Sequence, residues 1–201
     1  MRFFLILFFL FTTYNTKADS PLTSIKFSTA YYDNDYIQVA RQAGGILSVK
    51  LMSFLADKTI SVDIKMAIIN ELGWRVEGKD NYRKFLNYLI QNKIIGSRWS
   101  IKKLPADIIL CLAYLKAMDN YFNVKRAIRL TAQAEEKSPE SYTVCLISAL
   151  IKAQKAMTDD WCEVYRLTDN VRKNKTLKKD MRPEASEIIF LYMDAYKNDC
   201  K

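Results

Sequence analysis

The chain has 201 residues, of which half are hydrophobic, and it carries 31 basic and 22 acidic side chains but no histidine. The lack of histidine excludes Ser-His and Cys-His nucleophile pairs, histidine general acid–base catalysis and nearly every catalytic zinc site. The four cysteines contain no CxxC spacing, so no metal site, thioredoxin-type motif or cofactor is expected.

Residues 1–18 have the pattern of a secretory signal peptide: Arg2, an apolar run from Phe3 to Phe11, and small residues up to Ala18. This apolar run is shorter than the about 20 residues that a membrane-spanning helix requires. We therefore expect an exported protein, periplasmic or secreted, with no stable membrane span after cleavage. A short membrane anchor is the alternative interpretation.

Cleavage after residue 18 would remove two basic residues and no acidic ones, which leaves 29 basic against 22 acidic residues and a net charge of +7. This charge suits an anionic envelope surface or an acidic partner. Simple solubility is the alternative, because the charges are scattered along helical faces. An exported chain is not expected to bind nucleic acid, although its basic composition would permit it.

The rest of the chain is predicted to be all-α, because five glycines and four prolines separate long stretches of helical periodicity. Residues 19–34 are predicted to form an extended leader in front of a single helical domain over 35–200. The first helix of that domain should run to about Phe54 and bend or split at Gly44-Gly45.

Two further helices are predicted before residue 93. Ser61 is a good N-cap for the first of them, and Gly73 is its natural stop. Asp80 is predicted to cap the second helix, over 81–93. Glu71 interrupts the apolar face of the first helix, so its carboxylate requires a partner or an exposed edge.

From residue 105 onward the sequence repeats. The segment PADIILCLAYLKAMD, which begins at Pro105, returns 34 residues later as PESYTVCLISALIKA at Pro139, and a third opening segment begins at Pro183. Each of the first two segments is followed by a second helical stretch. A helical hairpin cannot bury its apolar face alone, so stacked hairpins need similar residues at similar places. We therefore predict stacked antiparallel helical hairpins.

The 34-residue period and the small residues of the second helix resemble the tetratricopeptide repeat. The matching residues are Ala127, Ala134 and Pro139 at its two small positions and terminal proline, and Cys111, Tyr114, Leu115 and Met118 at its first-helix contacts. The usual tryptophan and glycine are absent, and a leucine replaces the glycine. The resemblance covers about 105–199, the pairs over 35–92 look more like irregular or HEAT-like hairpins, and a generic helical bundle is the alternative.

The resemblance implies a function as well as a fold. First helices of tetratricopeptide-like stacks line a concave groove, so we expect a non-catalytic module that binds a protein or peptide there. The expected contact residues are Asp107, Tyr114, Lys116, Met118, Ser148, Lys152, Tyr192 and Tyr196.

Stacked hairpins also predict how the cysteines pair. The second helix of the middle hairpin should run antiparallel to the helix that opens at Pro183, which brings Cys162 next to Cys200. Cys111 and Cys145 occupy equivalent sites on parallel first helices, and the axes of such helices lie about 8–10 Å apart. We expect these two to be small buried side chains, with a second bridge as the alternative.

The loop over 171–182 contains six basic residues and the sequon Asn174-Lys175-Thr176, a glycosylation acceptor in a eukaryotic host. An anionic polymer or lipid head groups would suit this charge, and a solvated connection between helices is the alternative. The basic residues are Arg172, Lys173, Lys175, Lys178, Lys179 and Arg182.

Acidic residues define a competing, enzymatic function. Asp63, Glu71 and Glu77 cluster around Trp74 in the sequence, and paired carboxylates would suit a hydrolase of envelope glycans. The alternative is structural, for example a first-turn charge at Asp63 that stabilises the helix dipole. An exported inhibitor or immunity-type protein that blocks the site of another protein is a third class.

Overall fold

The computed structural model describes residues 20–96 and 101–200, and the regular elements within them are helical. The helices are α1 (Pro21–Ser24), α2 (Asp35–Gln42), α3 (Val49–Ala56), α4 (Val62–Leu72), α5 (Asn81–Gln91), α6 (Ala106–Asp119), α7 (Lys125–Lys137), α8 (Tyr142–Ala156), α9 (Trp161–Lys173) and α10 (Pro183–Met193). The 3₁₀ segments are the leader turn (Phe27–Tyr31), Ile101–Lys103 and the C-terminal turn (Asp194–Asp199). The all-α prediction is confirmed, and the predicted signal peptide lies outside the described residues.

The predicted break at the glycine pair separates α2 from α3. Gly44 and Gly45 have φ values of 58° and 81°, a left-handed conformation that glycine adopts without steric cost. Packing adds a second constraint at Gly45, where a Cβ would lie 2.7 Å from Nζ of Lys79 and 3.0 Å from the carbonyl oxygen of Leu72. A side chain at this position would therefore displace the Lys79 ammonium and push the glycine turn away from the C-terminus of α4.

The leader over residues 20–34 is not extended, which corrects the sequence-based expectation. It forms α1 and the leader turn, and Ser20 caps α1 by accepting a hydrogen bond from the Thr23 amide at 3.2 Å. Four of its apolar side chains are at most 4% exposed: Leu22, Ile25, Phe27 and Tyr31. The leader is therefore part of the hydrophobic core, and burial of each such side chain contributes about 1.5–3 kcal/mol.

Consecutive helices pack in pairs, as hairpins do. Helix α6 packs against α7, α8 packs against α9, and α7 and α6 both contact α8. The segments that open at Pro105 and Pro139 therefore lie alongside one another. Helix α10 packs against α9 and against both the leader turn and the C-terminal turn. This order of contacts is compatible with a helical repeat fold.

The N-terminus of α5 is capped from the neighbouring hairpin. Asp80 occupies the N-cap position but makes no side-chain capping bond. Instead the backbone amides of Asn81 and Tyr82 donate to the carboxylate of Asp119, at 3.1 and 2.8 Å. Asp80 is therefore the N-cap residue, as predicted, but its side chain does not cap the helix. The buried carboxylate at the end of α6 satisfies the free amides of the first turn instead.

The disulfide between Cys162 and Cys200 is present, with an S–S distance of 2.04 Å and a Cα–Cα distance of 4.7 Å. It ties the start of α9 to the residue that follows the C-terminal turn. Cys111 and Cys145 are free, as expected, but only Cys111 is buried, whereas Cys145 is half-buried. In the described part of the chain no helix is long and apolar enough to cross a bilayer.

Removing this disulfide should lower the free energy of unfolding by about 4 kcal/mol, because the bridge restricts the unfolded chain. The loop that it closes spans 38 residues. The change is the double variant Cys162→Ser/Cys200→Ser, and urea denaturation followed by circular dichroism measures it. The control is Cys145→Ser, at a free cysteine, with an expected change of about 1 kcal/mol or less. An unchanged midpoint in the double variant would contradict a stabilising bridge.

Candidate functional site

The leader lies across the helices that open the hairpins. Helix α1 contacts α6 and α8, while the leader turn contacts α4 and α10. The indole of Trp74, just after α4, donates to the Thr23 carbonyl at 3.0 Å. Of these, α6, α8 and α10 are the helices to which the tetratricopeptide resemblance assigns the groove. The chain's own leader therefore covers part of the face on which a partner was expected, at Tyr114 and Met118.

The side chain of Asn70 on α4 binds the leader and α6 at the same time. Its Oδ1 accepts from the Ser28 amide at 2.9 Å, and its Nδ2 donates to the Ile25 carbonyl at 2.9 Å and to the Tyr114 hydroxyl at 3.0 Å. Asn70 is only 5% exposed. A buried amide whose donors and acceptor are all satisfied fixes one arrangement of the groups around it.

Two expected partner contacts are in fact leader contacts. Tyr114 is buried, and its ring stacks on Phe27 with centroids 6.5 Å apart and an angle of 11° between the planes. Met118 is also buried and lines a pocket of about 230 Å³ together with Leu22 and Trp74. In this fold an external partner does not reach either residue.

Ser148 and Tyr196 are buried as well, which removes them from the surface that the resemblance implied. The Ser148 hydroxyl makes no hydrogen bond among the described residues, so it acts as a small core residue. Tyr192 is half-buried, and its hydroxyl lies 3.1 Å from that of Tyr196. Lys116 is half-buried, with Nζ 5.6 Å from the ring centroid of Tyr82.

Asp107 and Lys152, the other expected contacts, are in ion pairs within the chain. Asp107 accepts from Lys65 at 2.5 Å, and the side chain of Lys65 is fully buried. Lys152 pairs with Glu135 at 2.8 Å. A buried ammonium needs a counter-charge, so the structure assigns Asp107 to the neutralisation of Lys65.

The carboxylates proposed for glycan hydrolysis bind internal groups. Asp63 accepts from the Tyr31 hydroxyl at 2.9 Å, and Glu71 accepts from the Ser28 hydroxyl at 2.7 Å. Asp63 and Glu71 are eight residues apart in α4, which places them about 12 Å apart along the axis. That exceeds the about 5–9.5 Å of paired glycosidase carboxylates. Glu77 is exposed in the turn that follows α4.

Four of the six basic loop side chains contact groups within the chain. Arg172 forms bonds of 2.8 Å to both Asp169 and Asp194, and Lys173 pairs with Asp169 at 2.5 Å. Arg182 pairs with Asp33 at 2.6 Å. Arg172 therefore ties α9 to the C-terminal turn, and Arg182 ties the segment before α10 to the leader. The Nζ atom of Lys179 lies 3.5 Å from the ring centroid of Tyr142, whereas Lys175 and Lys178 remain exposed.

The backbone of the same loop is anchored to the start of α8. Lys178 donates its amide to the Glu140 carbonyl at 2.8 Å and accepts from the Tyr142 amide at 3.1 Å. Asp180 then caps α8, accepting from the Thr143 amide at 2.8 Å. The interpretation of this loop as a solvated connection therefore holds only for its exposed lysine side chains.

An open pocket of about 740 Å³ lies between α10 and the leader turn. Its apolar surface comes from Ala30, Ile188, Phe190 and Leu191. Leu191 is 81% exposed, although it is a large hydrophobic side chain. Exposed apolar surface with a polar rim is typical of protein interaction sites. Sequence reasoning missed this site, because the repeat pattern predicts burial at Ile188 and Leu191.

The rim of this pocket is acidic. Glu184 and Glu187 are exposed on α10, and neither forms an ion pair among the described residues. Arg172 also lines the pocket, but its guanidinium is already bound by Asp169 and Asp194. The charges that remain available at the rim are therefore negative.

Lys79, between α4 and α5, has a strongly perturbed environment. Its Nζ donates to the carbonyl oxygens of Leu72 and Gly73 at 2.5 and 2.9 Å, at the C-terminus of α4. Burial, and then the charge of Arg75, lower the pKa of Lys79 to about 8. A cation at a helix C-terminus satisfies the free carbonyls, so we assign this lysine a capping role.

Comparison with known proteins adds no assignment: no family model matches the chain, and no match was found among curated proteins or solved structures.

Replacing Phe27 by alanine should lower the free energy of unfolding by about 3–5 kcal/mol, because its buried ring joins the leader to α6. The matched control is Phe122→Ala, at a ring that is 75% exposed, with an expected change within about 0.5 kcal/mol. Urea denaturation of both variants gives the comparison. Similar small effects in both would show that the leader does not belong to the cooperative core.

An NMR titration of the Lys79 side chain should give a pKa of about 8, compared with about 10.4 for an unperturbed lysine. Because the folded value lies below the unfolded one, the folded protein binds fewer protons between the two. The contribution of Lys79 to stability therefore rises with pH across that window. The variant Lys79→Gln assigns the resonance, and a midpoint near the unperturbed value would contradict the burial of the ammonium.

Proposed function

We propose that the protein is an exported, non-catalytic helical-repeat module of tetratricopeptide-like type that binds a protein partner beside α10. The proposal moves the binding site away from the inner face, which is the face that the opening helices were expected to present to a partner. The leader already covers part of that face. The observation that carries it is the apolar pocket in which Leu191 is exposed between the leader turn and an acidic rim.

Two observations support export. The first 18 residues have the signal-peptide pattern described above, and a disulfide joins Cys162 to Cys200. Disulfides persist in oxidising compartments and are rare in the cytosol.

The repeat identity is supported by the packing of the duplicated segments. The helices that open at Pro105 and Pro139 contact one another, and each packs against the helix that follows it. Stacked hairpins would produce these contacts. The inhibitor or immunity-type alternative belongs to the same class of interaction, and the identity of the partner distinguishes it from a scaffold.

Replacing Leu191 by serine should weaken partner binding by about 2 kcal/mol, or thirtyfold in affinity, because it removes an exposed apolar anchor. The mature chain with a purification tag is expressed in its own host, and co-purifying proteins are quantified by mass spectrometry. The matched control is Val49→Ser on α3, another large hydrophobic side chain that is mostly exposed, at 68%. Thermal unfolding of both variants checks that the fold is kept. Equal recovery of the partner with Leu191→Ser and with the unmodified chain would refute this site.

A further inference from the structure

Helix α10 is the third opening segment of the sequence repeat, and its register follows from aligning the repeat prolines, which lie at the N-cap of α6 (Pro105), two residues before the N-cap of α8 (Pro139) and at the first residue of α10 (Pro183). With Pro183 aligned to Pro139 and Pro105, Leu191 corresponds to Ile147 and Ala113. Ile147 and Ala113 are both 0% exposed, whereas Leu191 is 81% exposed. The same side of the helix is thus interior in the first two copies and uncovered in the third.

The neighbouring positions follow the same pattern. Ile188 corresponds to Val144 and Leu110, which are buried, yet Ile188 itself is half-exposed at the pocket. In the first two copies the surrounding elements are helices: α6 packs against α7 and α8, and α8 packs against α9. The equivalent positions of α6 and α8 are therefore covered by other elements, whereas these positions of α10 face the open pocket.

The acidic residues belong to this face. Glu184, Glu187, Ile188 and Leu191 have the spacing i, i+3, i+4, i+7, so they share one side of α10. Thr143, the residue of α8 equivalent to Glu187, is fully buried. A helix that covered α10 in the same way would bury the Glu187 carboxylate. A buried carboxylate requires a cationic partner.

Charge also argues against a second copy of this chain as the occupant. A parallel pairing of α10 with itself would bring the carboxylates of Glu184 and Glu187 onto their own copies, and like charges in contact are unfavourable. The chain is basic overall, with 31 basic and 22 acidic residues. An acidic rim on a basic protein selects a basic partner locally, against the sign of the net charge.

We propose that this face of α10 binds an amphipathic helix of a partner protein whose apolar stripe is flanked by lysine or arginine residues. The apolar stripe packs on Ile188 and Leu191, and the basic side chains pair with Glu184 and Glu187. The inference rests on the proposed function, and it adds the chemical class of the partner segment.

Fluorescence anisotropy with two labelled 15-residue model helices tests this class directly. The two helices have the same leucine stripe, flanked by lysine in one and by glutamate in the other. The mature chain should bind the lysine helix at least about tenfold more tightly, which is about 1.4 kcal/mol. Its net positive charge would give the opposite preference if binding were non-specific.

Charge variants then locate the preference. Glu184→Lys/Glu187→Lys should reverse it, and the milder Glu184→Gln/Glu187→Gln should remove it without a change of sign at the start of α10. The matched control is Glu77→Lys/Glu136→Lys, which changes the net charge equally at two other exposed glutamates. Leu191→Ser should weaken the binding of both model helices, and Val49→Ser should weaken the binding of neither.

The outcomes separate this inference from the proposed function. If Leu191→Ser abolishes recovery of the cellular partner but the glutamate helix binds as well as the lysine helix, the basic class is wrong and the site stands. If analytical ultracentrifugation shows a dimer that Leu191→Ser dissociates, the occupant is a second copy and the inference is overturned. If neither model helix binds, and the partner is recovered equally with Leu191→Ser and with the unmodified chain, both proposals fail.

Discussion

The hydrogen bonds of Asn70 are the contact on which the inner face of the molecule depends. One amide group binds two backbone positions of the leader and the hydroxyl of Tyr114 on α6. Were the leader to leave, the amide would lose its two leader partners, the Ser28 amide and the Ile25 carbonyl, and each buried polar group left unsatisfied costs about 1–3 kcal/mol. Glu71 would lose the Ser28 hydroxyl as well. The leader therefore behaves as a structural element, and the face that it covers is not available as a binding groove.

The other end of the leader connects this inner face to α10. The Tyr31 hydroxyl donates to Asp63 on α4 at 2.9 Å and accepts from the Arg182 amide, directly before α10, at 3.2 Å. The Arg182 guanidinium also pairs with Asp33 in the leader. The pocket beside α10 is therefore bounded by an element that is held from both sides. A site on a rigid support loses less conformational entropy on binding than a site on a mobile loop.

What the sequence predicts and what it misses differ in the range of the interactions involved. The glycine break, the Gly73 stop and the Cys162–Cys200 bridge follow from local backbone preference or from the 34-residue period. The leader does not follow from either, because the spacings of its apolar residues change from three at Leu22–Ile25 to two at Ile25–Phe27, so no single period runs through it. Its conformation depends on Asn70, more than 40 residues further along the chain. The Asp119 cap of α5 is likewise invisible locally, since its amide partners are 37 and 38 residues away.

The repeat is informative about binding at the position where its copies stop agreeing in environment. Opening helices with the same register should bury the same positions, and the first two do so at Ala113 and Ile147. The third keeps a large apolar residue, Leu191, at that position but leaves it in solvent. An outward helix face that only had to remain soluble would suit a polar residue there, because exposed apolar patches mark interaction sites. Instead, α10 combines apolar residues of the buried type with glutamates of the exposed type on one side. That combination is expected of a face that is covered by another helix of opposite charge.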